Sequence, residues 1–490
     1  MTNIAKDNRK GLFAPIDLTH GSCWKTILRF SIPVILSCLF QQVYTISDAA
    51  IIGQTLSSGQ VAGVNDSSPI IYIFLQFAFG ISTGFSVITS CAVGSSDKEG
   101  TRKAFAVQIL LCFYVTIFLT ALSVVLLNPL LFALNITPND TEVYEAARTY
   151  CLVIFAGIGA QLYYNFICSF LRSLGDSVTP LVFLVFSTIL NVGLDILFIK
   201  AFNWGVFGAA IATVIAQLLS TIGSFVYALA RYKEIRPKKE DFRLTFSEAK
   251  RHLRQGIPLG LQFSVLSIGL IVMQSGVVKF DMSNGYIISA SAQNGYGAAC
   301  KLLNVLCTPV NALGIAMTSF AAQNLGANDY DRIKKGTLQS IIIMVIISVI
   351  CILIAFLCTI NNAYLRLFLS YDKITNDTIK YGNTYIIVAF TTFVFLGFIF
   401  VVRNCVQGIE QPKFVLSAGA AELVARVLVC LILPSIFAGG AVSASSPISA
   451  YIALCAADPC AWIASDLVLS IPFLKNIMKK NYDYLKIKKL

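Results

Sequence analysis

A chain of 490 residues that is 56% hydrophobic and only 13% charged does not have the composition of a water-soluble domain, in which about a quarter of residues are charged. Its formal net charge of +12 at pH 7 suits either nucleic acid or a lipid face, so the placement of the basic residues decides between them. The apolar residues fall into runs of roughly 18 to 28, each long enough to cross about 30 Å of hydrocarbon as a helix and much longer than a barrel strand. The expectation is an all-α polytopic membrane protein.

In chain order, residues 1–23 are polar and basic, with no apolar core or small-residue cleavage site, and read as a cytoplasmic segment rather than a cleavable signal. Six spans follow, near Ile27 to Ile52, Pro69 to Val93, Ala104 to Leu127, Tyr150 to Leu171, Leu181 to Ile199 and Val206 to Ala230, giving a first lobe over 24–230. Residues 231–254 form a hydrophilic linker with nine Lys or Arg. Six further spans run near Gly256 to Val278, Ile287 to Leu325, Ile341 to Cys358, Tyr385 to Val402, Phe414 to Phe437 and Tyr451 to Leu474. They make a second lobe over 255–475, and the second of them is long enough to kink or tilt. A basic tail, 476–490, closes the chain.

With both termini assigned to the cytoplasm, 29 of the 37 Lys and Arg lie inside, and outer loops such as Ser57 to Ser68 and Ser435 to Ser446 carry none, which is the bias expected of a cytoplasmic face. The positive charge therefore needs no nucleic-acid partner; it faces anionic lipid. The fourteen cysteines form no C-x-x-C pair, so neither a zinc site nor a disulfide framework is expected. The only histidines, His20 and His252, fall outside the predicted spans, so a buried proton carrier has to be a carboxylate.

The halves repeat. Gly94-Ser-Ser-Asp97 matches Gly326-Ala-Asn-Asp329 at an offset of 232 residues, Pro180 and Pro412 keep that offset, and Leu28-Arg29-Phe-Ser-Ile32-Pro33 matches Leu253-Arg254-Gln-Gly-Ile257-Pro258 at 225. A duplicated unit with an even number of spans inserts twice in the same orientation, about an axis along the membrane normal.

Intramembrane carboxylates cost about 2.5 to 3.5 kcal/mol on insertion scales and mark function by default. Ser37, Gln41, Tyr44 and Asp48 share one face of the first span, Ser187, Asn191 and Asp195 one face of the fifth, and Thr213, Gln217 and Ser220 line the sixth. In the second half, Lys301 follows Ser289, Gln293 and Gly297 in a polar stripe and has a carboxylate of either lobe as its expected partner, while Glu422 and Arg426 stand at i, i+4 as a structural or coupling ion pair. Asp458 and Asp466 sit on the last span. Aromatics such as Phe40, Tyr44, Tyr163 and Tyr164 are read either as packing or as the wall of a cavity for flat organic cations.

At this point the chain resembles the multidrug and toxic compound extrusion (MATE) family, from about Trp24 to Leu474. The resemblance rests on Ile32-Pro33 through Ser47-Asp48-Ala-Ala-Ile-Ile-Gly53, Leu171-Arg172-Ser-Leu-Gly175-Asp176, Asn191-Val-Gly-Leu-Asp195, Gly205-Val-Phe-Gly208-Ala-Ala-Ile-Ala-Thr213 and Ala322-Gln323-Asn324-Leu-Gly326-Ala327. It implies two pseudo-symmetric six-helix lobes and, for one prokaryotic branch, a first-lobe cation site that falls here on Asp48, Asn191, Asp195 and Thr213. The Glu of the seventh helix and the Asp of the tenth that mark a sodium-coupled branch are replaced by Gln262, Ser264, Thr384, Thr391 and Thr392.

The expectation is thus a monomeric plasma-membrane antiporter, not an enzyme, with no cofactor and no metal, that exports small organic molecules against H+ or Na+ through a cavity lined by Gln41, Tyr44, Tyr163, Gln217 and Lys301. No G-x-x-x-x-G-K-[ST] loop is present to draw on ATP. The alternative is a flippase of the same wider superfamily moving a lipid-linked glycan, which would want a ring of cations for a pyrophosphate.

Overall fold

The computed structural model describes residues 14–480 and Tyr482; the first half of the N-terminal segment and most of the 476–490 tail lie outside the described residues. Because lipid offers the backbone no hydrogen bonds, each span has to satisfy its own, and the chain is a succession of helices. In the first half these are α1 (Cys23–Thr55), α2 (Ser58–Gly94), α3 (Lys98–Ala133), α4 (Thr141–Ala156), α5 (Ile158–Ser173), α6 (Val178–Asp195) and α7 (Gly205–Arg231). The second half contributes α8 (Phe246–Val278), α9 (Ser291–Gly326), α10 (Tyr330–Thr359), the short α11 (Ala363–Phe368), α12 (Asn376–Thr391), α13 (Phe393–Gly408), α14 (Pro412–Ala438), α15 (Ile448–Cys455) and α16 (Ala457–Pro472).

Among the described residues, ten helical segments are long and apolar enough to cross a bilayer, and two bent pairs, α4 with α5 and α12 with α13, bring the total to twelve if each is one span. The pairs bend by 47° and 51°, at Gly157 and at Thr392, which are 235 residues apart. Equivalent spans of the duplicated halves are therefore broken at equivalent places, a feature that hydropathy, which averages over a break, does not register.

Side-chain caps start many of the helices: Ser57 accepts from the Gln60 amide, Asp97 from Gly100, Asp140 from Val143 and Thr375 from Thr378. The Ser57 cap corrects one expectation. Ser57 to Ser68, read as an outer loop, is the opening of α2, and Gly63 there brings α2 onto α4, since a Cβ on it would lie 2.5 Å from the Val143 carbonyl. The span expected to begin at Ile287 begins instead at Ser291. Before it comes a two-residue antiparallel hairpin, β1 (Met282–Ser283) and β2 (Tyr286–Ile287), pairing Met282 with Ile287 and Ser283 with Tyr286. Asn284 and Gly285 turn it with positive φ, 51° and 84°, the geometry of a tight Asn-Gly hairpin. Asp281 then accepts from Ser289 Oγ and from the amides of Ala292 and Gln293 at 2.6 to 3.0 Å, which satisfies the first turn of α9.

Two compact units result: residues up to Ser264 with Ser319–Asp329 and Gln407–Pro412, and Val265–Thr318 with Tyr330–Val406 and the remainder from Lys413. The first unit centres on Phe105, packed against Phe166, Phe170 and Phe225 with ring centroids 4.5 to 6.0 Å apart. Its repeat-related glycines, Gly94 and Gly326, each pack against the backbone of the other's helix. A Cβ on Gly94 would fall 1.8 Å from the Gln323 carbonyl, and one on Gly326 2.0 Å from the Cys91 carbonyl. The turns that follow are superimposable in their bonding: Ser96 and Asn328 both take a left-handed φ, and Asp97 and Asp329 each donate an amide to the carbonyl five residues back at 2.9 Å. In the basic linker, Asp241 accepts from Arg102 Nε at 2.5 Å and Nη2 at 3.2 Å, Glu234 pairs with Lys98 at 2.8 Å, and Glu248 pairs with Lys103. Among the described residues, no cysteine is joined to another in a disulfide.

Candidate functional site

The polar stripes of the first half come from α1, α6 and α7, all in the first unit. On α1, Ser37 spends its hydroxyl on the Pro33 carbonyl at 2.9 Å, as serines in apolar helices do. Gln41 is exposed, Tyr44 buried and Asp48 half-buried. On α6, Ser187, Asn191 and Asp195 are all buried, the last two completely. Directly after Asp195 the helix widens into a π-helical turn, Ile196–Ala201, an irregularity that recurs at functional positions. From α7, Thr213 Oγ1 accepts a long hydrogen bond from Asn191 Nδ2 at 3.4 Å.

Asp48 and Asp195 face each other across α1 and α6, with Tyr44 and Tyr150 in electrostatic reach of both. The Tyr44 hydroxyl approaches Thr213 and Gln217 but falls short of hydrogen-bonding geometry with either. Asp48 Oδ1, Asn191 Oδ1, both oxygens of Asp195, Tyr44 Oη and Ser220 Oγ have no hydrogen-bond partner, in a protein interior where such groups are almost always paired. Ile52, Val64, Ala146, Ile199, Val206 and Ala209 cluster beside them with Tyr150 against them, an apolar wall that raises the cost of any uncompensated charge. Two acceptor-only carboxylates facing each other attract only when a proton or a cation sits between them. The donor set therefore fits a proton or a small hard cation, with Asp48 Oδ1 and both oxygens of Asp195 unpartnered.

The remaining residues singled out from sequence divide. Tyr163 is half-buried and engaged in packing. Its hydroxyl donates to the Ile109 carbonyl at 2.9 Å and its ring packs on Phe166 and Phe225, against the first unit's core. The helical spacing that suggested a lining face is equally the spacing of core packing. Lys301 is exposed, and its ammonium lies over the Phe368 ring at 5.8 Å; the carboxylate partner expected for it is not what it meets.

In the second unit, Arg426 donates through Nη2 to Glu422 at 3.2 Å and through Nε to Asp458 at 3.0 Å, and Asp458 also accepts from the Tyr385 hydroxyl at 2.6 Å. Gly269 makes room for the guanidinium, since a Cβ there would lie 2.8 Å from Arg426 Nη1. Arg403, which sequence reading put just beyond the tenth span, is a buried residue of α13. Tyr150, Tyr385 and Arg403 are members that sequence reasoning passed over. Tyr150 was an aromatic at the very edge of a span, and the run Phe400-Val-Val-Arg403-Asn404 was the available sign that an arginine had been carried into apolar chain. Among the described residues, no group of three or more His, Cys, Asp or Glu could hold a metal ion.

Comparison with known proteins places this arrangement. The MatE family model matches residues 33–197 and 267–432, one match in each half of the repeat. The chain is 31% identical over 327 residues to the probable multidrug resistance protein YpnP of Bacillus subtilis, covering 65% of this chain and 68% of that one, and 26% identical over 359 residues to the probable multidrug resistance protein YoeA of the same organism, covering 72% and 75%. Among solved structures, a multidrug resistance MATE family transporter of the MOP superfamily, in an outward-facing conformation, has the same fold, with a TM-score of 0.81 over 95% of this chain and 99% of that one at 20% identity. With more than half of its residues matched by the model and both halves of its repeat covered, this multi-pass membrane protein belongs to the MatE family and is a transporter, not an enzyme.

Proposed function

We propose that the chain is a multidrug efflux transporter of the plasma membrane, exporting small, drug-like organic molecules by alternating access. Asp48 and Asp195 take up the driving ion, with Asn191 and Thr213 beside them and Tyr44, Gln41 and Gln217 on the same polar faces, toward substrate. The observation that carries the reading is the facing pair of carboxylates, Asp195 buried and Asp48 half-buried, with no hydrogen-bond partner for Asp48 Oδ1 or for either oxygen of Asp195. Such a pair binds an ion only in the conformation that keeps its members together, and that differential affinity is what couples an ion gradient to a conformational change. The curated relatives are named as multidrug resistance proteins, which supports the substrate class.

One proton moving inward gains about 2.3 kcal/mol per 100 mV and about 1.4 kcal/mol per pH unit. Together, roughly 3.7 kcal/mol sustains a neutral-substrate gradient of a few hundredfold. A single proton per cycle therefore suffices, with Na+ the other candidate. The distribution of Lys and Arg supports cytoplasmic placement of both termini, and the site needs no second copy, so we take the functional unit to be a monomer with no cofactor beyond the ion. A pyrophosphate-binding flippase is disfavoured, because Arg426 is committed to Glu422 and Asp458, Arg403 is buried within electrostatic reach of Glu422 and Asp466, and Lys301 lies over Phe368.

The test is efflux of a fluorescent organic cation from proteoliposomes under proton and sodium gradients imposed separately. The native chain should respond to one of them, and Asp48→Asn and Asp195→Asn should each abolish that response while remaining folded. Undiminished gradient-driven efflux by Asp48→Asn would refute the coupling role.

A further inference from the structure

The second unit holds an ionisable cluster that the first-unit site does not use. Asp458 and Asp466 come from α16, Glu422 and Arg426 from α14 and Arg403 from α13, and each is at most 8% exposed. Arg426 binds Glu422 and Asp458, and Tyr385 of α12 donates to Asp458. Arg403 and Glu422 lie in electrostatic reach of Asp466, while Tyr296 and Cys300 of α9 face Asp458. Two turns of helix, about 12 Å, separate Asp458 from Asp466, so the charges run in sequence from Asp458 through Arg426 and Glu422 to Arg403 and Asp466.

Three carboxylates against two guanidiniums leave this cluster one negative charge in excess, within helices that cross a membrane. The excess has an address. Asp458 is bonded by Arg426 and Tyr385 and Glu422 by Arg426, but neither oxygen of Asp466 has a hydrogen-bond partner, and Glu422 Oε2 has none. Protein interiors do not retain such a charge uncompensated. A metal cation would need several oxygens around one point, and a guanidinium close by opposes it. A proton needs one lone pair.

We propose that Asp466 is a second proton-binding site, buried in the second unit with Glu422 and Arg403 and separate from the Asp48–Asp195 pair. Loading transfers one proton from water to an Asp466 oxygen, forming an O–H bond and taking the cluster from a charge of −1 to neutral; unloading reverses it. The site adds an ion to the one assigned to Asp48 and Asp195 but does not depend on that reading.

The experiment is infrared difference spectroscopy of the protein in lipid vesicles across a pH step, reading the carbonyl stretch of protonated carboxyl groups. Asp466→Asn should lose one band that the native protein and Asp48→Asn both show, and Asp466→Glu should show it at a shifted frequency. Circular dichroism establishes that each variant is folded. A spectrum of folded Asp466→Asn superimposable on the native one overturns the proposal, as does an Asp466→Glu protein with no band of its own. A retained Asp466 band in an Asp48→Asn protein that no longer transports supports the second site, and retained transport in Asp48→Asn leaves the Asp466 result standing while refuting the coupling role of Asp48.

Discussion

Tyr44 shows what the first-unit site costs. Its ring is buried on α1 while its hydroxyl stops short of Thr213 and Gln217, and an unsatisfied buried hydroxyl is worth about 1 to 3 kcal/mol of lost stability. A protein keeps such a group where something that binds only part of the time completes it. Tyr44→Phe removes the orphaned oxygen and leaves the ring. The expected result is a rise in unfolding free energy of about 1 kcal/mol, seen as a higher thermal midpoint in detergent, together with weaker ion-driven efflux. A variant no more stable than the native chain but equally active would show that the hydroxyl is simply solvated.

At the scale of elements, the linker between the halves is pinned rather than slack. Burial pushes the Asp241 carboxyl up, but the hydrogen bonds from Arg102 and the Lys238 amide outweigh it and hold the group below its ordinary value of 3.8. A carboxyl depressed in the folded state stabilises above its unfolded value and loses that contribution as pH falls through the folded one, so the linker should loosen only below about pH 3.8. Asp241→Asn should loosen it at neutral pH, at a cost of about 1 to 3 kcal/mol, detected as faster limited proteolysis between Tyr232 and Thr245. Much of this scale was legible in the sequence. Twelve apolar runs and matched segments at an offset of 232 identify the helices and their duplication, because hydrophobic length and repeated turns are local properties. The breaks at Gly157 and Thr392, the helical start of α2 and the hairpin before α9 were not. A break is set by what packs against it, as Val214 does on Gly157, and spacing along one helix says nothing about the neighbour. For the same reason the packing of Tyr163 on Phe166 and Phe225 was not legible.

For the molecule as a whole, duplication has been followed by divergence of the polar faces. At the offset of 232 kept by Pro180 and Pro412, Asn191 and Asp195 correspond to Leu423 and Val427, while Glu422 and Arg426 correspond to Leu190 and Leu194. The i, i+4 polar pair has moved by one residue, about 100° around the helix, so the two units present their charges to different neighbours. In the first unit the result is a set of orphaned oxygens, and in the second a network joining α12, α14 and α16 through Tyr385, Arg426 and Asp458. Unequal roles imply unequal responses to substitution. Arg426→Gln strands Glu422 and Asp458 in apolar surroundings, and removing one partner of a buried ion pair costs about 3 to 5 kcal/mol, so the variant should lose that much unfolding free energy and accumulate poorly in the membrane. Replacing Glu422, Arg426 and Asp458 together by uncharged residues of similar size removes the stranded charges with the pair and should recover most of the loss. Thermal unfolding of the single and triple variants in detergent measures both. A single variant as stable as the native chain would mean that the guanidinium contributes nothing to holding the second unit together.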